Sequence, residues 1–213
     1  MKGFLFDLDG TLVDTAIDMI GTLKLLAAEN GIDINPDYNE YKELITFGSR
    51  AIVESIFGHL DDHSIKNLQQ RYLSIYQQNL TVGSCLFEGI EEVIMQLDEA
   101  SVPWGIVTNK PDYLARPLIE TLPQLKHCKI LVGGDSTSHS KPHPAPVLHA
   151  IKALNIKPEL SWYIGDAESD IMAANSSKMN SAIALWGYLS AKDRPELWKA
   201  NRSLIKTKDI LSL

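Results

Sequence analysis

Phe4-Leu5-Phe6-Asp7-Leu8-Asp9-Gly10-Thr11-Leu12-Val13-Asp14 begins with three large apolar residues and then sets two carboxylates one residue apart. Such a run reads as a buried strand that meets solvent at its carboxyl end. A strand covered on both faces has no use for acids, but its carboxyl end in an open parallel sheet is where ligands bind. The alternation of a strand sends Asp7 and Asp9 the same way there. Two acids this close repel unless a cation lies between them or one keeps a proton. A hard cation such as Mg²⁺ takes carboxylate oxygens, and Gly10 lets the backbone bend around it. Asp-Gly alone would be an ordinary turn; the longer run carries more than a turn requires.

Four further apolar runs follow: Pro103 to Val107, Lys129 to Val132, Trp162 to Ile164 and Ala182 to Leu185. Helix-like segments separate them, at Gly89 to Ala100, Asp112 to Leu122, Ala145 to Leu154 and Glu168 to Ser176. Strands alternating with helices imply an α/β, Rossmann-like parallel sheet covered on both sides. The gap from Phe6 to Pro103 is far longer than the dozen or so residues a crossover needs. Residues 16–80 within it read as helices. Ile17, Ile20, Leu23 and Ala27 share one face, Thr15 can cap, and Gly31 can end the first helix. The expected organisation is therefore a catalytic core of residues 1–15 and 82–213 with an inserted helical cap of residues 16–81, hinged near Asp14 to Asp18 and Thr81 to Phe87.

Lys and Arg number 20 against 27 Asp and Glu, a net charge of −7, and no Lys/Arg-rich stretch occurs. Nucleic acid is thus not the expected partner, since binding to its phosphate backbone needs a basic surface. The two cysteines, Cys85 and Cys128, lack Cys-x-x-Cys spacing and read as reduced, mostly packed thiols. No stretch approaches the roughly eighteen apolar residues of a membrane span, which favours a cytoplasmic protein with no membrane partner.

The other strand ends carry chemistry too. Val107 leads into Thr108 and Asn109, whose hydroxyl and backbone N–H groups can hold phosphoryl oxygens. After the third run, Ser140-Lys141-Pro142-His143-Pro144-Ala145-Pro146 brackets a lysine with prolines just before a helix, so its ammonium can join the helix dipole against an anion. His143 has no evident proton-transfer partner and reads as structural. Ile164-Gly165-Asp166-Ala167-Glu168-Ser169-Asp170 places Asp166 and Asp170 four apart at a helix start. Either could merely cap the helix. Together with Asp7 and Asp9 at one sheet edge they form a candidate Mg²⁺ site, with Asp166 a direct ligand and Asp170 direct or through water. Asp7 can act as a nucleophile toward phosphorus. Asp9 can protonate the leaving oxygen and later deprotonate water, which requires its pKa to be raised relative to that of Asp7.

These four elements, in this order and strand context, resemble the haloacid dehalogenase superfamily of phosphotransferases over nearly the whole chain. The resemblance implies Asp7 as nucleophile, Asp9 as acid/base, Thr108 and Lys141 as phosphate ligands, and Asp166 and Asp170 as Mg²⁺ ligands, with the metal also touching Asp7 and the carbonyl of Asp9. A cap between the first two motifs is similar to the phosphoglycolate phosphatase and beta-phosphoglucomutase branch. Thr11 looks like the phosphatases, since the mutases usually carry an aliphatic residue there. Trp104 to Pro111, Leu131 to Asp135, Lys141 to Pro146 and Ala184 to Tyr188 resemble bacterial phosphoglycolate phosphatases, some of them similar to N-acetylmuramic acid 6-phosphate phosphatase. The implied activity is hydrolysis of a small phosphorylated metabolite by a monomer or homodimer. In the cap, Phe47-Gly48-Ser49-Arg50 could present a guanidinium to a substrate carboxylate or sugar oxygen, or simply start a helix with an exposed arginine. A receiver domain also gathers acids and a lysine at a sheet edge, but it is shorter and lacks the helical insertion.

Overall fold

A computed structural model describes residues 1–213, running in chain order through β1 (Phe4–Phe6), β2 (Val13–Asp14), α1 (Ala16–Glu29), α2 (Tyr38–Ile45), α3 (Gly48–Phe57), α4 (Asp62–Gln78), β3 (Cys85–Leu86), α5 (Ile90–Glu99), β4 (Trp104–Val107), α6 (Asp112–Glu120), β5 (Leu131–Val132), α7 (Ala145–Leu154), β6 (Trp162–Gly165), α8 (Glu168–Ser176), β7 (Asn180–Ala184) and β8 (Arg202–Leu204). Contacts divide it into two units, Met1–Val13 with Leu86–Leu213, and Asp14–Cys85.

The first unit is a six-stranded sheet of order β5-β4-β1-β6-β7-β8, parallel throughout. Phe4 stands level with Trp104 on one side and Trp162 on the other, so β1 is central and its end opens between its neighbours. Alternation splits the buried strand residues between two layers. Phe4, Phe6, Trp104 and Ile106 pack with Ile90, Val93, Ile94 and Leu97 of α5 and Ala115 and Leu118 of α6. Leu5, Val107 and Tyr163 face the other way, against Val147 and Ala150 of α7 and Ala173 and Ala174 of α8. Both faces are covered, as the unbroken apolar strands require. The fold is the expected α/β sheet, with one addition. β8 pairs with β7 at the edge, and only Leu204 of its three residues is buried, so no apolar run announces it.

The second unit is four helices. α1 buries Met19, Ile20, Leu23, Leu26 and Ala27, whereas Ile17 is exposed and does not share that face. Thr15 is buried and its hydroxyl donates to Met19 Sδ rather than capping; Asp14 Oδ1 accepts the Ala16 N–H instead. Gly31, at φ +73°, adopts the left-handed conformation that follows the helix end. The buried Asp18 accepts the backbone N–H of Gly83 at 2.7 Å and of Ser84 at 2.9 Å, which fastens the returning strand to α1. Cys128 is partly buried, but Cys85 is exposed, so the expectation of two packed thiols holds for Cys128 alone. No helix is long and apolar enough to cross a membrane.

Candidate active site

The carboxyl ends of three adjacent strands converge. Asp7 leaves β1 with its N–H on Ile164 O at 2.9 Å, continuing the sheet by one residue. Thr108 leaves β4 in the same manner, its N–H on Val132 O. Asp166 leaves β6, and Asp170 occupies the first turn of α8, where its Oδ2 accepts the Ala167 N–H at 3.0 Å. Carboxylate oxygens of Asp7, Asp166 and Asp170 lie within 4.8 Å of one another.

Lys141 reaches this cluster from the loop before α7 and is itself buried. Its Nζ lies 2.8 Å from Asp7 Oδ1, 2.6 Å from Asp170 Oδ1, 2.8 Å from Val107 O and 2.9 Å from Tyr163 Oη. Burial alone would push this lysine down, but the charges of Asp170 and Asp7 hold it above its ordinary value. The same burial pushes Asp7 up to about 7, against the pull of Lys141 and with the push of Asp170 and Asp9. The sequence expects Asp7 to ionise readily; burial in the protein alone opposes that. Asp166 is raised well above the carboxylate range by burial and by the charges of Asp7 and Asp170, although the Tyr188 N–H and the Thr11 hydroxyl oppose the shift. The phenol of Tyr163 is likewise held well above its usual range by burial, Asp170 and Asp7.

Asp7, Asp166 and Asp170 cluster beside one ammonium, which pairs with Asp7 and Asp170 only, so negative charge is left in excess, and all the donor atoms are oxygens. That is the donor set of a hard divalent cation, and a cation there would draw Asp7 and Asp166 back to their ionised forms. Backbone close to Asp166 is kept bare. A Cβ on Gly10, at φ +79°, would fall 2.2 Å from Asp166 Oδ2, and one on Gly187 would fall 2.3 Å from Asp166 Cβ. These residues therefore fit the Mg²⁺ expected from the sequence. Asp166 and Asp7 would hold it, with Asp170, whose Oδ1 lies on Lys141 Nζ and whose Oδ2 accepts the Ala167 N–H, completing the acidic cluster.

Asp9 points its Oδ1 at Lys110 Nζ, 2.9 Å away, and Lys110 is almost fully buried. Thr108 is buried too, its Oγ1 accepting the Lys110 N–H at 3.1 Å. The Asn109 side chain accepts the Lys141 N–H and donates to the Lys141 carbonyl, each at 3.0 Å. Its side chain clamps the lysine loop. Arg50 is not in the cluster. It lies in the second unit, with its guanidinium on Glu54 Oε1 and Asp62 Oδ1, so the sequence expectation of an arm offered to a carboxylate meets an arginine already holding two. His143 stacks on His139 and accepts the Ala145 N–H, a structural role as expected. Lys110 and Tyr163 are the residues sequence reasoning missed. Lys110 stands two residues after Thr108, as Asp9 stands after Asp7, and that alternation at a strand end was the available signal. Tyr163 sits inside an apolar strand and gives none.

The family pattern of haloacid dehalogenase-like hydrolases matches residues 4–184. The chain belongs to that family. A phosphoglycolate phosphatase of Xanthomonas campestris pv. campestris is 38% identical over 200 residues, covering 94% of this chain and 90% of the relative. An N-acetylmuramic acid 6-phosphate phosphatase of Pseudomonas aeruginosa is 35% identical over 202 residues, covering 94% and 89%. Among solved structures, a predicted phosphoglycolate phosphatase from Haemophilus somnus superposes with a TM-score of 0.88 at 24% identity, covering 100% of this chain and 97% of that one. At that identity the structural match speaks for the fold of this hydrolase alone.

Proposed function

We propose that this hydrolase is a Mg²⁺-dependent phosphomonoesterase that works through a phosphorylated Asp7, with the first unit as its catalytic core and the helical unit as a cap. The observation that carries the reading is the meeting of Asp7, Lys141, Asp166 and Asp170 at the ends of β1 and β6. An Oδ of Asp7 attacks phosphorus, the bond to the ester oxygen breaks, and Asp9 in its protonated form delivers a proton to that oxygen. Asp9 then takes a proton from water, whose oxygen attacks the same phosphorus and returns Asp7 as a carboxylate. Lys110 orients Asp9 between these steps. Lys141, the Thr108 hydroxyl and the backbone N–H groups after β4 hold the phosphoryl oxygens. A bound divalent cation would supply positive charge beside Asp7 and the transferring group.

The relatives named above act, by their names, on phosphoglycolate and on N-acetylmuramic acid 6-phosphate. Both esters carry a carboxylate beside the phosphate, and the substrate class we assign is a small acid of this kind. The test is phosphate release from p-nitrophenyl phosphate with and without Mg²⁺, followed by 2-phosphoglycolate and N-acetylmuramic acid 6-phosphate side by side. Activity that survives chelation, or an Asp7→Asn variant that turns over normally, defeats the mechanism. A marked preference for carboxylate-free sugar phosphates defeats the substrate class.

A further inference from the structure

Lys141 presents a donor count that does not close by itself. Its ammonium carries three hydrogens, yet four oxygens surround it within 2.9 Å: Asp7 Oδ1, Asp170 Oδ1, Val107 O and Tyr163 Oη. A lysine whose hydrogens are all taken inside the protein has none for a substrate. The Tyr163 hydroxyl changes the count, because it lies 2.7 Å from Val107 O and donates to it. With that carbonyl served by the phenol, two ammonium hydrogens serve Asp7 and Asp170 and the third rests on Tyr163 Oη, which it can leave cheaply because the hydroxyl keeps its own bond to Val107 O. We infer that Tyr163 is a positioning residue for Lys141, and that its hydroxyl frees one ammonium hydrogen for the phosphoryl oxygen of the substrate.

This rests on the phosphatase reading above and adds a residue to it. Tyr163 is fully buried and packed beside Leu5, Val107 and Ala173, so no substrate atom touches it; its hydroxyl also lies 3.3 Å from Asp170 Oδ1, but the shorter bond to Val107 O is the one that bears on Lys141. Remove the hydroxyl and three hydrogens face three protein acceptors. The resting site is then satisfied, but turning one hydrogen to a phosphate leaves the buried Val107 carbonyl unpaired, which is the costly outcome.

Tyr163→Phe keeps the ring and deletes only the donor. The probe is inorganic phosphate in Mg²⁺ buffer, read by thermal shift and by product inhibition of p-nitrophenyl phosphate hydrolysis. In phosphate-free buffer the variant is expected to melt close to the wild type. Added phosphate should raise the wild-type melting temperature clearly and the variant's much less. The inhibition constant for phosphate and the KM should each rise about tenfold. A variant that does not fold, or one that melts lower in both buffers with the same phosphate increment and inhibition constant, makes the hydroxyl a core contact and overturns the inference. A wild type that neither hydrolyses the ester nor responds to phosphate overturns the phosphatase reading instead, so the two failures are distinct.

Discussion

Replacing Lys141 by Met should cost this protein a large share of its stability. Methionine keeps the apolar stem but deletes the ammonium that lies 2.8 Å from Asp7 and 2.6 Å from Asp170. The Lys141 side chain is 1% exposed, and those of Asp7 and Asp170 are 13% and 0% exposed, so water does not take over the lost partner. Val107 O retains Tyr163 and adds no penalty. The loss is therefore that of two buried carboxylates left without their cation, for which removal of one partner typically costs about 3–5 kcal/mol. Against a typical domain stability of roughly 5–15 kcal/mol, that is decisive. Urea titrations of wild type and variant, in EDTA at pH 5 and pH 8, measure it. The deficit should be larger at pH 8. Without Lys141 the carboxylate of Asp7 loses the group that lowers its pKa, so a neutral Asp7 relieves the site at acid pH and a charged one burdens it at alkaline pH. Saturating Mg²⁺ at pH 8 should return part of the loss. A deficit under about 1 kcal/mol, or one equal at both pH values, would refute the view that this ammonium holds the site together.

Three further outcomes are expected. In the metal-free wild type, Asp7 has a folded pKa of about 7 against an unfolded value near 4, so the native state binds the extra proton between them; stability falls as pH rises through that window, and Mg²⁺ should raise the melting temperature more at pH 8 than at pH 5. Asp9→Asn should slow hydrolysis of alkyl phosphates by about 10²- to 10⁴-fold and that of p-nitrophenyl phosphate by much less, since a good leaving group needs no proton; equal losses would remove Asp9 from the acid role. Gly10→Ala places a methyl 2.2 Å from Asp166 Oδ2 at a φ of +79°, so the half-saturating Mg²⁺ concentration for activity should rise at least tenfold, and an unchanged value would show that Asp166 does not hold the metal.

What the sequence made legible was whatever chemistry announces itself by contrast. Acids at the end of an apolar run, as at Asp7 and Asp166, contradict the strand they terminate, and α7 and α8 begin and end where the periodicity puts them. Lys141 was legible through its prolines. Lys110 was not, because a lysine after a strand is normally solvated, and only the folded backbone shows it turned inward onto Asp9. The partners of the Asn109 and Arg50 side chains were hidden for a related reason. Both residue types suit anion binding, but hydrogen bonds to Lys141 backbone and to Glu54 and Asp62 engage those same groups inside the chain. Such partners are distant or ambiguous in sequence, and no local pattern reports them. β8 escaped because a solvent-facing edge strand needs no apolar run.

The central position of β1 has a bearing on how the protein is made. Its three residues precede their neighbours β4 and β6, which begin at Trp104 and Trp162, so the strand that organises the sheet waits unpaired while some hundred residues are added. Meanwhile residues 14–85, whose contacts lie largely among themselves, emerge in full and can fold as a unit before the sheet has a second strand. The nascent chain thus carries an exposed Phe4-Leu5-Phe6 segment tethered to a finished helical bundle. Slow elongation would lengthen that interval, and any factor that shields short apolar segments would have its longest task at β1.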